Sequence, residues 1–360
     1  MDSPSTAAAG DLRVDTSRLL ARLDALGEIG RIDGPEGEWG NARLALTDAD
    51  RDGRDLVVSW MRDLGMTVVV DAIGNVIATR AGADPSAAPV MTGSHIDTVG
   101  TGGRFDGNLG VLAGLEVVET LERHGVTTQR PFQVAFFTDE EGARFAPDML
   151  GSLVHVGGLA LEEALDIVAA DDGARLGDEL ARIGYAGPAP CPTDRAPHAF
   201  VELHIEQGPI LEDEGITIGV VTGVQGISWT EVVVVGQSAH AGTTPMRLRH
   251  DPAYCVGAIA TFVRDLTRRL GTEQVGTVGR LELYPILVNV VPSSAVMTVD
   301  LRNTDERVLQ DAEGRLVAFL DELAASEGVE IATRALSRFE PVSFDPEMID
   351  RVESAAGRLG

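Results

Sequence analysis

The chain has 360 residues, 44% of them hydrophobic, which is enough for one large domain or two medium-sized ones with packed cores. Its formal net charge of −27 repels phosphates and anionic lipids, and this argues against nucleic acid and membranes as partners. All 29 basic residues are arginine, which excludes a Schiff-base lysine and a phosphate-binding Walker lysine.

The cysteines and the N-terminus indicate the compartment. Cys191 and Cys255 form no CxxC pair, so the spacing argues against a disulfide framework and excludes a zinc site of the thiolate type. The N-terminal residues are polar and lack the apolar core of a signal peptide. No apolar run approaches the roughly 20 residues that cross a bilayer. The sequence therefore predicts a cytoplasmic protein.

Helices and strands alternate in the first half of the chain. Apolar residues at helical spacing predict helices, and short apolar runs between turn residues predict strands. This alternation is typical of an α/β sheet with helices on both faces. The predicted helices are 16–30, 51–64 and 109–124, and the predicted strands are 66–70, 76–79, 89–92 and 132–138.

The second half has a different pattern, of two long helices and several strands. Asp251 followed by Pro252 predicts the start of a helix that runs to Leu270. Residues 331–344 look like a return to the first domain, so the pattern predicts a catalytic domain of residues 1–211 and 331–360, interrupted by an inserted α+β domain of residues 212–330. The other predicted elements are strands 216–224, 229–235, 276–290 and 294–301, a helix 304–326, and a helix that begins near Asp345.

Four clusters place metal-binding groups beside turn residues near strand or helix ends. Each cluster alone is compatible with a hydrogen-bonded surface pair, a solvated carboxylate or a core histidine. Together they lie where open α/β sheets place ligand sites, past the carboxyl ends of strands. Their oxygen and nitrogen donors suit zinc, manganese, cobalt or nickel. The clusters contain His95 and Asp97; Asp106; Glu140 and Glu141; and His204 with Gln207.

Five ordered motifs resemble the M20 peptidase superfamily, in the branch of N-carbamoyl-L-amino-acid hydrolases and allantoate amidohydrolases. The resemblance runs from about Arg13 to the end of the chain. The HIEQGP and SAHAGTTPM strings separate this branch from ordinary M20 exopeptidases. The motifs are GSHIDTVGTGGRFDGNLGVLAGLEV, FTDEEGARF, ELHIEQGPILE, GQSAHAGTTPMRLRHD and NVVPSSAVMTVDLRN.

The resemblance implies a metallohydrolase domain with a mixed sheet, an inserted dimerisation or lid domain, and two divalent transition-metal ions. Asp106 would bridge the two cations, Glu140 would be the general acid/base, and Asp97 would orient His95. Gln207 would contact substrate. Residues of the inserted domain would reach the site of the neighbouring subunit of a homodimer, with His240 stabilising an oxyanion and the others holding the substrate carboxylate. The implied metal ligands are His95, Asp106, Glu141 and His204, and the residues from the inserted domain are His240, Asn289 and Arg302.

The sequence departs from this family at two places. Relatives of this kind continue beyond the position of Gly360 to a Gly-His-Asp segment with a further metal histidine, whereas no histidine follows His250 here. The expectation is that one cation lacks a protein donor and that the chain is a poor enzyme. In addition, Gly151-Ser152-Leu153 continues as Val154-His155-Val156, where family members usually carry a small Arg-Ala-like run.

The function expected from the resemblance is metal-dependent hydrolysis of the carbamoyl C–N bond of an N-carbamoyl-L-amino acid, a small ureido acid. Allantoate hydrolysis shares all the quoted motifs and remains an alternative. An aminoacylase or dipeptidase is a third possibility, against which the HIEQGP string counts. A different-class alternative is a catalytically impaired, dimeric binding protein.

Overall fold

The computed structural model describes residues 12–169, 172–271 and 273–359, so residues 1–11 of the polar N-terminal segment lie outside the described residues. The chain forms two compact units that divide between Pro209 and Ile210. In the described part of the chain, no helix is both long and apolar enough to cross a membrane.

The first unit contains a five-stranded mixed sheet in the order β3-β4-β6-β5-β7. β4 is antiparallel to β3 and β6, whereas β5 is parallel to β6 and β7. Six helices and a small hairpin, β1-β2, complete the described part of the unit. The strands are β1 Arg31–Asp33, β2 Trp39–Asn41, β3 Thr67–Val70, β4 Val76–Arg80, β5 Val90–His95, β6 Phe132–Phe137 and β7 Ala199–Val201. The helices are α1 Thr16–Gly27, α2 Asp48–Asp63, α3 Asn108–Arg123, α4 Leu150–His155, α5 Leu161–Leu165 and α6 Leu176–Arg182.

Helix α3 packs closely on the centre of this sheet. Its buried residues Val111, Leu112, Leu115 and Val118 recur every three or four positions, so they form one apolar stripe. A Cβ at Gly114 would lie 2.8 Å from the Thr92 side chain, so glycine permits the close approach of the helix to β5. The N-terminus of α3 is thereby held beside the end of β5.

The second unit contains a four-stranded antiparallel sheet in the order β11-β13-β9-β14, which packs against two long helices. Burial alternates residue by residue along β13, as expected for a strand with one face in the core. The strands are β8 Gly223–Val224, β9 Gly226–Val235, β10 Ala239–His240, β11 Val275–Tyr284, β12 Val290–Val291, β13 Ser294–Asn303, β14 Glu330–Phe339 and β15 Val342–Ser343. The helices are α7 Ile210–Glu214, α8 Pro252–Leu270, α9 Glu306–Glu327 and α10 Pro346–Leu359.

Most predicted elements are confirmed, and α8 has the predicted bounds because Asp251 accepts the backbone N–H groups of Ala253 and Tyr254 at its N-terminus. Three predictions for the second half are wrong. The predicted strand 276–290 ends at Tyr284, because Pro285 has no N–H to donate to the sheet. Within 216–224 only Gly223 and Val224 form a strand, since glycines interrupt the segment and a strand also needs a paired neighbour.

The third wrong prediction concerns the strand that begins at residue 330. The sequence indicated a return to the first domain at residues 331–344. Instead, β14 pairs antiparallel with β9 over its whole length, from Glu330 opposite Val235 to Phe339 opposite Ile227. A strand can add to any open sheet edge, and only tertiary pairing decides which one.

Candidate active site

Three parallel strands bring the predicted metal-binding residues to one edge of the first sheet. His95 is the last residue of β5, Glu140 and Glu141 follow β6, and His204 follows β7. Because β5 is parallel to both β6 and β7, the three carboxyl ends share one edge of the sheet. Such an edge is where open α/β sheets bind ligands.

His95, Asp106 and His204 form a compact cluster whose donor atoms all lie within 4.8 Å of one another. The Asp106 Oδ1 atom is 3.3 Å from His204 Nε2 and 3.8 Å from His95 Nε2. The two imidazole rings are stacked, with centroids 5.9 Å apart. Each ring therefore presents Nε2 to the same carboxylate oxygen.

The backbone sets the tautomer of both rings. His95 Nδ1 lies 2.9 Å from the carbonyl oxygen of Asp97, and His204 Nδ1 lies 2.8 Å from that of Ile205. A carbonyl oxygen only accepts, so Nδ1 donates in each case and Nε2 of the neutral ring carries a lone pair. Two lone pairs and one carboxylate oxygen then face the same point.

This arrangement fits a cation. The Asp106 Oδ1 atom is buried and has no hydrogen-bond partner among the described residues, although its other oxygen accepts a bond from Gln207 Nε2 at 2.6 Å. Gly107 has a φ of +61°, and a Cβ there would collide with the His95 ring. An unpaired buried oxygen and open nitrogen lone pairs are the donor set that divalent transition metals take.

Glu140 lies beside the cluster, with Oε2 3.5 Å from His95 Nε2. Burial raises the pKa of Glu140 to about 7, and the neighbouring Asp97, Glu141 and Glu202 carboxylates add to this effect while His95 opposes it. A carboxyl group with a pKa near neutrality can both accept and return a proton.

Glu141 is placed differently from its neighbour. Burial raises the pKa of Glu141, and the charges of Asp106 and Asp97 raise it further against the opposing effect of His95. Its carboxylate does not belong to the three-residue donor cluster, so the structure brings Glu141 to the site edge without bringing it into that cluster.

Asp97 holds the loop of the two glutamates rather than bonding to the His95 ring through its carboxylate. The buried carboxylate accepts the backbone N–H groups of Glu140 and Glu141, both at 3.3 Å, and lies 3.8 Å from His95 Nδ1. The ring bonds instead to the Asp97 carbonyl, because the backbone folds back after β5. Asp97 therefore couples the His95 strand end to the Glu140 loop.

The predicted substrate-binding residues of the second unit fall into two places. β10 pairs with β12, and Asn289 accepts the backbone N–H of Ala241 through its carbonyl, so His240 and Asn289 are neighbours. His240 Nδ1 accepts the N–H groups of Gly242 and Thr243, which leaves the proton on Nε2. An exposed Nε2–H is suited to donate to an oxyanion.

Arg302 lies near the C-terminal end of β13, whereas Ser294 is the first residue of that strand. Eight residues of extended chain separate the two positions, about 26 Å. Its Nε and Nη2 atoms bond to the Asp300 carboxylate, and the guanidinium lies 5.8 Å from the Trp229 ring centroid. A substrate carboxylate at Arg302 would have to share the guanidinium with Asp300.

Comparison with known proteins shows the family. The model of peptidase family M20/M25/M40 matches residues 91–360. The chain belongs to this family. The match includes every predicted site residue of both units.

Three relatives indicate the branch. The chain is 43% identical to the N-carbamoyl-L-amino-acid amidohydrolase of Rhizobium meliloti, over 97% of this chain and 82% of that protein. It is 34% identical to the ureidoglycolate hydrolase of Arabidopsis thaliana, over 98% of this chain and 75% of that protein. A crystal structure of a hydantoinase/carbamoylase family amidase from Burkholderia multivorans matches with a TM-score of 0.89 at 45% identity, covering 97% of this chain and 84% of that one.

Two buried arginines donate hydrogen bonds to residues next to the metal-binding and catalytic residues, and the sequence analysis identified neither of them. Arg43 donates to the carbonyl of Ile96, which lies between the two metal-site residues His95 and Asp97, and to the Asn108 side chain. Arg54 donates to the carbonyl of Gly74 and to the Thr138 hydroxyl, one residue before the Asp139-Glu140-Glu141 loop. A single arginine carries no periodic signal of its own, so only the fold reveals these roles.

We predict that His95→Ala lowers the metal content of the purified protein. The substitution removes one of three donors that converge on one point, whereas the imidazole of His124 lies at the end of α3 and bonds to a backbone carbonyl. His124→Ala is therefore the matched control and should keep the wild-type metal content. Equal metal in both variants, measured by elemental mass spectrometry, would remove His95 from the ligand set.

Proposed function

We propose that the chain is a metal-dependent amidohydrolase that cleaves the carbamoyl C–N bond of an N-carbamoyl-L-amino acid and releases the amino acid, ammonia and carbon dioxide. The observation that carries the proposal is the Glu140 carboxylate, 3.5 Å from His95 Nε2 at the edge of the His95–Asp106–His204 cluster. The substrate class follows from the 43% identical relative named for this activity.

The proposed ligands are His95, Asp106 and His204, with Glu141 at the edge of the cluster. They would bind two divalent transition-metal ions, which could be zinc, manganese, cobalt or nickel. A divalent cation bound there lowers the pKa of water and polarises a carbonyl group. Asp106, held by Gln207 through one oxygen, keeps its other oxygen directed at both histidines. The chain thus supplies an oriented donor set.

The Glu140 carboxylate moves the proton in this proposal. It accepts a proton from the attacking water and returns it to the leaving nitrogen, a role that its raised pKa suits. Asp97 keeps Glu140 in place by accepting the backbone N–H groups of both glutamates. His240 Nε2–H would donate to the oxyanion, and Asn289, Arg302 and Gln207 would hold the rest of the substrate.

A panel of substrates distinguishes the proposed reaction from its rivals. Metal-loaded protein should release ammonia from N-carbamoyl-L-amino acids faster than from allantoate or ureidoglycolate, and it should leave dipeptides intact. Faster turnover of allantoate would reassign the substrate. Binding of a carbamoyl amino acid without turnover by fully metal-loaded protein would favour the binding-protein alternative.

We also propose that the protein is a homodimer in which the second unit supplies His240 and Asn289 to the neighbouring subunit. The His240 side chain is exposed, and its Nδ1 atom already accepts two backbone N–H groups. Its Nε2–H can therefore donate to a substrate bound in the site of the neighbouring subunit. In this proposal the first compact unit, up to Pro209, is the metal-binding domain. The second, from Ile210 and including β14, is the dimerisation domain.

Mixing inactive variants tests this exchange. We predict that Glu140→Gln and His240→Ala, each inactive alone, regain about a quarter of wild-type activity after dissociation and reassociation, since half of the dimers are mixed and each mixed dimer has one complete site. Glu140→Gln mixed with His95→Ala is the control and should stay inactive, because both changes affect the same chain's site. If subunits exchange and the first mixture stays inactive, His240 does not act across subunits.

A further inference from the structure

A second group of metal-binding side chains lies in the core of the first unit. Asp71, His155 and Cys191 come from three segments: the turn after β3, the end of α4 and the loop before β7. All three residues are more than nine-tenths buried, and their donor atoms lie within 4.8 Å of one another. The absence of a CxxC pair predicted no thiolate site, but tertiary folding assembles a single thiol with two other donors.

The Asp71 carboxylate is already oriented. Its Oδ1 atom accepts the backbone N–H groups of Ile73 and Asn75, at 3.2 and 2.9 Å, and its Oδ2 atom accepts Asn75 Nδ2 at 2.9 Å. Hydrogen bonds of this kind hold ligating carboxylates in known metal sites. The same Oδ2 atom lies 3.7 Å from His155 Nδ1.

His155 lacks the partner that burial requires. Its Nδ1 atom is buried and has no hydrogen-bond partner among the described residues. The nearest ring, Phe137, packs edge-on at a centroid distance of 5.6 Å and offers no polar atom. The 3.7 Å to Asp71 Oδ2 is too long for a direct hydrogen bond, so the two groups face each other across a gap.

The 3.7 Å between Asp71 Oδ2 and His155 Nδ1 is a few tenths of an ångström longer than a shared cation requires, and the Cys191 thiol lies within 4.8 Å of both. A cation bonded at about 2.0–2.3 Å to oxygen, nitrogen and sulfur holds these donors about 3.3–3.6 Å apart. A thiolate, an imidazole and a carboxylate select zinc or cobalt over the harder magnesium, calcium and manganese ions. A divalent cation would also neutralise the Asp71 and Cys191 charges, which makes the burial of all three groups favourable.

We propose that Asp71, His155 and Cys191 bind one thiophilic divalent cation, zinc or cobalt, at a structural site separate from the His95 cluster. Without a cation, burial raises the pKa of the Cys191 thiol to about 12, with a contribution from Asp71, so the thiol stays protonated. A cation that coordinates the sulfur displaces that proton to water. Binding therefore releases a proton from Cys191 and forms a metal–sulfur bond.

The site would stiffen the loop that carries Glu140. Asn75, whose side chain bonds to Asp71, also donates to the carbonyl of Gly151 and accepts the backbone N–H of Thr138, each at 2.9 Å. Thr138 precedes the Asp139-Glu140-Glu141 loop. A cation at Asp71 thus strengthens one side of the network that positions the catalytic carboxylate.

Cobalt titration of metal-free protein tests the proposal. Only a cysteine ligand produces a thiolate-to-cobalt charge-transfer band in the near ultraviolet, and the chain has only two cysteines. Wild type and His95→Ala should both show this band, and its final intensity in both should correspond to one thiolate-bound cobalt per chain, whatever cobalt the His95 cluster also takes up. Cys191→Ser should lose it, whereas Cys255→Ser, which changes a buried residue in the core of the second unit, should keep it.

A second variant guards against a folding defect in Cys191→Ser. His155→Gln keeps the thiol and removes the ring nitrogen, so the band should remain but require at least about tenfold more cobalt, as expected for a lost ligand. Circular dichroism confirms that each variant is folded. Absence of the band in wild type, its persistence in Cys191→Ser, or unchanged cobalt affinity in folded His155→Gln would each overturn the proposal.

Discussion

Replacing Glu140 with glutamine should lower turnover by about 10²- to 10⁴-fold, the usual contribution of a general acid/base. Glutamine keeps the size of the side chain but cannot accept and return the proton. The backbone N–H of residue 140 would still donate to Asp97, so the loop should keep its position. The cluster of His95, Asp106 and His204 is unchanged, and the metal content should therefore equal that of the wild type.

Ammonia release and elemental analysis on the same preparation check this result. Glu163→Gln is the matched control, because Glu163 is an exposed residue of α5 remote in sequence from the site motifs. It should keep wild-type turnover. Wild-type turnover in Glu140→Gln would place the proton transfer on another group, whereas loss of metal together with turnover would make Glu140 a ligand.

Replacing Arg43 with methionine should cost the first unit about 3–5 kcal/mol of unfolding free energy, since each buried acceptor that loses its donor costs about 1–3 kcal/mol. The Arg43 side chain is fully buried and donates to four acceptors. They are the carbonyls of Leu26, Ile29 and Ile96 and the side-chain oxygen of Asn108. Burial lowers the pKa of Arg43 to about 10, which still leaves it protonated at neutral pH.

Denaturant unfolding in a Trp229→Phe background measures this loss in the first unit alone, because the remaining tryptophans, Trp39 and Trp60, both lie in that unit. Arg62→Met is the control. Arg62 is an exposed residue in the last turn of α2, in the same unit as Arg43, so the change should stay within about 0.5 kcal/mol. An equally small effect of Arg43→Met would show that its acceptors find other partners.

Arg43→Met should also weaken metal binding, since Arg43 links the residue between His95 and Asp97 to the start of α3. Changes to groups that orient metal ligands typically cost roughly 10- to 100-fold in metal affinity. Metal affinity measured on folded protein separates this effect from the stability loss. Unchanged affinity would limit Arg43 to a role in the core.

The sequence alone determined the elements whose signals are local. Apolar periodicity and the Asp251-Pro252 start were enough for α8, and short apolar runs between turn residues were enough for β3 and β4. Strand-end motifs also predicted that His95, Asp106, Glu141 and His204 would meet, and the structure groups all of them except Glu141 in one donor cluster. The physical reason is that parallel strands deliver their carboxyl ends to one edge, so residues that follow each strand become neighbours.

Tertiary structure alone decided the features that depend on distant partners. β14 pairs in the second sheet, and the residues of a strand do not by themselves specify which open sheet edge it will join. The backbone conformation after β5 directs the Asp97 carbonyl toward the His95 ring, so the Asp97 carboxylate is left to accept the backbone N–H of Glu140. The motif alone did not predict this conformation. Arg43, and the group of Asp71, His155 and Cys191, were assembled from segments far apart in the chain. Burial shifts the pKa values of Arg43 and Cys191, and the sequence alone does not show which side chains the folded protein will bury.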